Sequence, residues 1–453
     1  MPFGSRIVVN DIRANVDSME IVPHPIYNIE QNWFSVKALQ DIWHLDSARW
    51  PDVVDYADLQ LQAQPHESIT LVQIPSRRGG ETLVFKSLVQ DVKYMYHELK
   101  MLLTLKRHPN IIGAPLYVVT KKCRFGGKIG ICGFILPFYP LGSLGKTLEE
   151  SSREALSTPS MLRDRFRWAR QIAQALLHIK DSPLGFYPDL KPDNVLLSPG
   201  TEGLDATLID LEQRGGWYSW SPPEVRYIEY LEYIAARVEC PPVRVKSLAL
   251  LKSFIPGWKL PTQADRYREC TQGFSAAWLA LEGKEREAAQ VFMLGKLLWC
   301  IFEGTSSVNC GIGFDMFREQ EASPPFPKFR DTPAKLRACI RACTAGAPEW
   351  DEQFRTIARR GTKYYAVERL SEPGELEGAS PKETQEAAKR WWQEEVRSAK
   401  RFVEQKIRTR NSKDSKGPSE ILARTEEQAR QRPSLRIVLE QIEDAEIWLV
   451  NEV

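Results

Sequence analysis

Tyr187-Pro188-Asp189-Leu190-Lys191-Pro192-Asp193-Asn194 is the stretch that decides how this chain is read, and it is followed by Ala206-Thr207-Leu208-Ile209-Asp210-Leu211-Glu212. Asp189 is a carboxylate of the type that takes a proton from a hydroxyl. Asn194 and Asp210 offer amide and carboxylate oxygens, the donors that suit a hard divalent cation such as Mg²⁺. Lys191 adds a positive charge close to where negative charge would grow. Asp, Asn and Pro are also the commonest turn residues, so the stretch taken alone reads equally well as a turn before a strand. What separates the two readings is the sequence on either side.

Immediately upstream, Phe166, Ala169, Ile172, Ala173, Leu176 and Ile179 recur at helical spacing, which predicts a helix ending before Pro183. Short strands are expected at Val195 to Leu197 and Ala206 to Ile209, so the polar groups sit on loops held by a scaffold. Farther upstream, Ile69 to Ile74 and Thr82 to Phe85 are β-branched or aromatic runs around Arg77-Arg78-Gly79-Gly80 and predict an antiparallel pair. Lys86 closes the second run. Asp91 to Lys106 then places Met95, Leu99, Leu102 and Leu103 at helical intervals, with Glu98 on the same helix, and ends at His108-Pro109-Asn110-Ile111-Ile112. An ammonium on a strand and a carboxylate on a facing helix can form an ion pair.

Further strands are expected at Leu116 to Val119 and Ile129 to Leu136, and Leu136-Pro137-Phe138-Tyr139-Pro140-Leu141-Gly142-Ser143-Leu144 connects this sheet region to a mainly helical remainder. Downstream stand Ser221-Pro222-Pro223-Glu224, an apolar helix from Ala288 to Phe302 containing Gln290 to Gly295, and Gln431-Arg432-Pro433-Ser434 before a helix from Leu435 to Ile442.

In this order the segments closely resemble the eukaryotic protein kinase family, and Lys191 resembles its Ser/Thr branch. Asp189 to Asn194 with Asp210 resemble the catalytic loop and the Mg-binding Asp-Phe-Gly site. Glu98 to Ile111 resembles the C-helix and the strand after it, and Leu136 to Leu144 the hinge. Ser221 to Glu224 resembles the Ala-Pro-Glu element, whose Glu would pair with Arg432. The resemblance covers about residues 66 to 445 and implies an α+β, bilobal protein-kinase-like fold: a small β-sheet N-lobe with one main helix, and a larger helical C-lobe. Residues 1–65 would be an N-terminal extension, 66–140 the N-lobe, and 141–445 the C-lobe, with insertions at about 225–289 and 345–425.

The resemblance further implies ATP and Mg²⁺ as cofactors. Lys86, held by Glu98, would reach the α and β phosphates; Leu136 would be the gatekeeper, with Phe138 and Leu196 about the nucleotide. Asn194 and Asp210 would coordinate Mg²⁺. Asp189 would orient the substrate hydroxyl and accept its proton, and Lys191 would stabilise the transferred phosphoryl group.

The sequence departs from the family pattern at three places. Gln62-Ala63-Gln64-Pro65-His66-Glu67, expected as the loop between the first two strands, has no glycine where backbone amides usually approach phosphates. Tyr187-Pro188 stands for His-Arg, and Pro188 removes the arginine that clamps an activation-loop phosphate. The short segment from Asp210 to Glu224, with Tyr218, Ser219 and Ser221 as hydroxyls, therefore reads as preset. Asp210-Leu211-Glu212 loses the glycine of Asp-Phe-Gly and adds a charge near the metal; it also resembles aminoglycoside-type phosphotransferases, against which stand Lys191-Pro192, His108 to Ile111 and Pro223-Glu224.

Composition sets the outer bounds. In 453 residues, 43% hydrophobic and 26% charged are ordinary globular values, and 61 Lys+Arg against 59 Asp+Glu leave +2, which argues for no nucleic-acid partner. The eight cysteines are scattered without a Cys-x-x-Cys pair and read as buried reduced thiols. The longest apolar run, Val291 to Phe302, is broken by Gly295 and Lys296 and falls short of the roughly 20 residues of a membrane span, so no span is expected. No apolar leader is evident in Met1 to Asp11. Residues 1–65, rich in Trp and Asp, read as ordered, with a helix around Ser35 to Leu45. Ser380-Pro381 reads as cap and first turn of a helix whose stripe is Ala388, Trp392, Val396, Ala399, Val403 and Ile407; the stripe is read as a packed face in spite of the excess Lys and Arg.

The leading expectation is an intracellular, cytoplasmic or nuclear Ser/Thr kinase acting on a protein substrate. Two alternatives stay open: a pseudokinase scaffold that binds nucleotide or partners without turnover, and a small-molecule phosphotransferase.

Overall fold

The computed structural model describes residues 5–10, 19–25, 28–124, 126–216, 219–261, 273–308, 326–350, 357–360, 363–366, 380–411 and 420–452. Tyr218, Cys270 and Cys310, singled out above, lie outside them. The fold is mixed α+β.

A hairpin of β1 (Arg6–Asn10) and β2 (Glu20–His24) comes first, then helices α1 (Asn28–Asn32) and α2 (Val36–Trp43). Ser35 caps α2, its hydroxyl accepting the Ala38 N–H at 3.2 Å. There follow β3 (Asp52–Asp55), β4 (Gln60–His66), β5 (Ile69–Gln73), α3 (Pro75–Arg78), β6 (Leu83–Lys86), α4 (Val92–Thr104), β7 (Tyr117–Lys122) and β8 (Ile129–Pro137). Strands β3 to β8 form one sheet in the order β3-β7-β8-β6-β5-β4, antiparallel except for the parallel β3–β7 pair.

Two local expectations change here. β5 and β6 pair antiparallel, but their connection contains the short helix α3 in place of a tight turn at Arg77 to Gly80. The glycine-free stretch Gln62 to His66 is strand, not loop, and only Glu67 and Ser68 turn. Pro65 has no N–H to give a sheet ladder, yet β4 lies at the sheet edge and its pairing with β5 is irregular between Leu61 and His66, so the missing donor is tolerated.

The N-terminal residues are built into this sheet. Trp33 is fully buried against Gly130, where a Cβ would lie 2.6 Å from that of Trp33, so only glycine allows the approach. The Phe34 carbonyl accepts the Ile131 N–H at 2.8 Å, and Glu30 pairs with Lys121 at 2.7 Å. With β3 and β4 both in the sheet, the expected boundary at 65/66 falls at the end of an edge strand.

The remainder is mostly helical: α5 (Leu144–Glu150), α6 (Arg153–Leu156), α7 (Pro159–Lys180), the hairpin β9 (Val195–Pro199) and β10 (Leu204–Leu208), then α8 (Pro223–Arg237), α9 (Pro241–Phe254), α10 (Ala276–Ala280), α11 (Gly283–Glu303) and α12 (Ala334–Cys343). A second hairpin, β11 (Ile357–Arg360) and β12 (Lys363–Ala366), precedes α13 (Pro381–Asn411), α14 (Glu420–Gln431) and α15 (Leu435–Glu452). α11 is buried continuously from Ala289 to Glu303, as an all-round apolar helix must be, and α7, α12, α14 and α15 pack on it. Ser380 and Glu383 cap α13 reciprocally, the Glu383 N–H donating to Ser380 Oγ and the Ser380 N–H to Glu383 Oε2.

In α13, Ala388, Ala399 and Val403 of the predicted stripe are buried, whereas Trp392, Val396 and Ile407 are only half-buried. Among the described cysteines five are buried, but Cys240, at the exposed start of α9, is not. No described helix is long and apolar enough to cross a membrane.

Candidate functional site

The site is built around Lys86. As the last residue of β6, flanked in the sheet by Ile69 of β5 and Phe134 of β8, it is fixed on a central strand. Gly133 makes room for it: a Cβ there would lie 2.4 Å from the Lys86 carbonyl oxygen. The Lys86 ammonium is buried and meets three carboxylates, Glu98 Oε2 at 2.6 Å, Asp210 Oδ1 at 3.0 Å and Glu212 Oε1 at 3.2 Å. Glu98 comes from the inward face of α4, and Asp210 and Glu212 from the segment after β10. The other Glu98 oxygen accepts the Leu211 N–H at 3.3 Å.

Charge does not balance inside this cluster. Besides Lys86, Arg214 is 3.0 Å from Glu212, and its side chain is more than half exposed. Burial alone would lower the Lys86 pKa, but Asp210, Glu98 and Glu212 hold it well above the ordinary lysine value. Burial pushes the Glu98 carboxyl up against the opposing pull of Lys86, with Asp210 and Glu212 adding to the rise. Burial pushes Asp210 up, but the charge and hydrogen bond of Lys86, together with the charges of Arg214 and Lys191, bring it below its ordinary value. Ligand oxygens of Glu98, Asp210 and Glu212 all lie within 4.8 Å of one another, a donor set that suits a hard divalent cation.

Asp210 sits at φ 64° and Gln213 at φ 50°, left-handed conformations that cost non-glycine residues about 1–3 kcal/mol each. Neighbours over-determine both. Gln213 donates to the carbonyls of Leu184 and Phe186 and bonds His97 of α4. The Tyr187 hydroxyl donates a short hydrogen bond to the Ile209 carbonyl, and the Ile209 N–H donates to the Asn194 carbonyl at 3.1 Å. Those last two contacts tie the cluster to the motif loop.

In that loop Asp189 Oδ2 accepts from Lys191 Nζ at 2.7 Å and from Asn194 Nδ2 at 2.9 Å, and Asn194 Nδ2 is also 2.8 Å from the Asp189 carbonyl. Burial raises the Asp189 pKa, Lys191 opposes it, and Asp210 is close enough to add to the rise. Asp189 Oδ1 is buried without a hydrogen-bond partner. Gly216 packs over it: a Cβ at Gly216 would meet the Pro188 carbonyl at 2.4 Å and Asp189 Oδ1 at 3.5 Å.

The structure thus brings together Lys86, Glu98 and Asp210 as one group and Asp189, Lys191 and Asn194 as another, joined through Ile209. Asn194 spends its amide protons on Asp189. Leu136 on β8 pairs with Val84, Leu196 on β9 bridges to Ser143, and Phe138 beyond β8 is 38% exposed, so these three border the connection between sheet and helices. Glu224 at the start of α8 and Arg432 before α15 form a buried ion pair, with Arg432 Nη2 at 3.2 Å from Glu224 Oε2.

Four residues were not singled out as site residues from sequence. Glu212, read only as a departure, is the third carboxylate on Lys86. His97 and Gln213 carry no motif. Lys296, read as a break in an apolar helix, is fully buried, with its ammonium 2.6 Å from the Ser219 carbonyl and 3.0 Å from Glu349. A charged residue inside the longest apolar run of the sequence was the available signal. No protein-family model and no curated protein matches the chain.

Proposed function

We propose that this chain is a divergent, ATP- and Mg²⁺-dependent protein kinase of the bilobal type, transferring the γ-phosphoryl group to Ser/Thr hydroxyls of a protein substrate. The observation that carries the reading is the meeting of Lys86, Glu98 and Asp210 from a strand, a helix and a loop, tied through Ile209 to Asp189, Lys191 and Asn194. On this reading the β3–β8 sheet with α4 is the small lobe, and nucleotide lies between Leu136, Phe138 and Leu196.

The residues present fit a divalent ion, since three carboxylates face one buried ammonium. Asp210 would hold it with Glu212 and Asn194, and the ion when bound supplies charge neutralisation of the phosphates. The remaining work belongs to side chains in hand. Lys86, kept charged by its carboxylates, anchors phosphate oxygens; Glu98 fixes its direction. Lys191 and Asn194 occupy Asp189 Oδ2, which leaves Oδ1 as the oxygen to receive a hydroxyl proton once Gly216 moves aside. Lys191 then stands beside the growing charge.

Specific observations favour a second reading, a nucleotide- or partner-binding scaffold without turnover. The β4–β5 turn has no glycine, Glu212 occupies Lys86, and Asp189 Oδ1 is covered. Incorporation of ³²P from labelled ATP into generic protein substrates and into the chain itself separates the two. Transfer by the wild type and its loss in Asp189→Ala supports the kinase; equal incorporation by both removes it. A melting temperature raised by Mg-ATP with no transfer assigns the scaffold.

A further inference from the structure

We propose that the recess between α8, α9 and α13 docks an acidic, amphipathic helical segment of a partner protein, independently of any phosphoryl transfer. The recess, of about 440 Å³, is lined by Ile234 of α8, Val238 just after it, Val243 from α9, and Trp392 and Val396 from α13. These last two belong to the α13 stripe and are half-buried, Trp392 packing edge-on against Tyr230, while Ala388 and Ala399 on the same helix are buried.

Charge selects the occupant. Arg397 and Lys400 line the wall, Lys389 lies one turn before Gln393 on α13, and Lys246 lies one turn after Val243 on α9. Among the described residues Arg397 is paired with Glu394 at 2.8 Å, and no carboxylate lies within ion-pair distance of Lys246, Lys389 or Lys400. α9 carries Arg244, Lys246 and Lys252 and no carboxylate; Glu239, in the bend before it, is the acidic exception. An apolar floor between basic walls complements a helix with one apolar face and acidic flanks. Concavity argues against a bilayer, because membrane-surface helices insert a protruding apolar face, and a flat lipid surface does not reach the floor of a recess.

The test uses the full chain and a fluorescein-labelled synthetic helix of about four turns, with Leu at i, i+3, i+4 and i+7 and Glu elsewhere, read by fluorescence anisotropy. Saturable binding is expected, weakened by salt. Val396→Asp should raise Kd roughly tenfold or more, a loss typical of a central apolar contact. Should Val396→Asp fail to fold, the surface double variant Lys389→Glu/Lys400→Glu decides: it should lose the Glu peptide and gain an otherwise identical Lys peptide. No binding up to about 1 mM peptide, which is weaker than about −4 kcal/mol, overturns the proposal. So does equal binding of the Glu and Lys peptides by the wild type. Preferential retention on phosphatidylserine vesicles over the Glu peptide replaces the protein partner with a membrane.

Discussion

His97 Nε2 lies 2.9 Å from Gln213 Oε1, in a buried hydrogen bond between α4 and the segment after Asp210. Both protons of the Gln213 amide are spent on the carbonyls of Leu184 and Phe186, so Gln213 Oε1 is an acceptor and His97 must donate from Nε2. Nδ1 is buried without a partner, and burial of the ring favours its neutral form. Two neighbours on α4 thus grip the same segment, His97 at Gln213 and Glu98 at Leu211. Their grip holds the left-handed backbone at Asp210 and Gln213, and with it the position of two carboxylates on Lys86.

A pH dependence follows. Burial lowers the His97 pKa from 6.5 to about 4, against the opposing hydrogen bond that His97 donates to Gln213. Between those values the unfolded chain binds a proton that the folded chain does not, so stability rises with pH across the window and is lost as pH falls through it. The full effect is about 3 kcal/mol. His97→Phe should flatten that slope, while costing about 1–3 kcal/mol at neutral pH through the unsatisfied Gln213 oxygen. Urea midpoints measured from pH 4 to 7 check this; equal slopes for wild type and variant would remove His97 as the source.

Glu212 is expected to act as a metal ligand more than as a brake. Replacing it by Gln keeps the shape but removes one of three carboxylates around Lys86 and the partner of Arg214. Mg²⁺ or Mn²⁺ affinity, followed by thermal shift or calorimetric titration, should weaken roughly tenfold, about 1.4 kcal/mol. Tighter divalent binding in Glu212→Gln would mean that the third carboxylate merely competes for Lys86.

Lys86 with Glu98, and Arg432 with Glu224, were expected only through the resemblance to the kinase pattern, and both ion pairs form. Strands β5 to β10, α4, α11 and the Ser380 cap followed from periodicity and capping chemistry, which are local. The rest depended on which distant segments meet. Nothing near Gln213 announces His97, which lies 116 residues away. Nothing near Gly130 announces Trp33. Gln62 to Glu67 was expected as a loop from its place in the kinase pattern, whereas the fold extends it up to His66 as an edge strand, and the α13 stripe reads as continuous although packing covers only part of it.

Gly216 tests how tightly the segment closes on Asp189. A methyl group there would meet the Pro188 carbonyl oxygen at 2.4 Å, so backbone must move, and Gly216→Ala should cost about 1–3 kcal/mol. Gly113, where an added Cβ meets nothing within 4 Å, is the control, and Gly113→Ala should change stability by no more than about 0.5 kcal/mol. Thermal melts of both variants check the contrast. Equal melting temperatures would mean that Gly216 does not rest on the motif loop.

The Glu224–Arg432 pair gives the sharpest stability prediction, because both side chains are buried and every polar atom of Arg432 has work. Its two Nη atoms engage both carboxylate oxygens of Glu224, Nε donates to the Ala345 carbonyl at 3.0 Å, and the guanidinium lies 4.9 Å from the Phe292 ring centre. Glu224→Gln strands a buried cation and should cost about 3–5 kcal/mol. Arg432→Met strands the carboxylate and should cost a similar amount. The double variant Glu224→Leu/Arg432→Met removes both charges at once and should recover much of either loss, since the penalty comes from leaving one charge alone. Chemical denaturation of the four proteins closes the cycle. Additive losses would mean that the residues act separately, and that the join between the start of α8 and the approach to α15 rests on apolar packing alone.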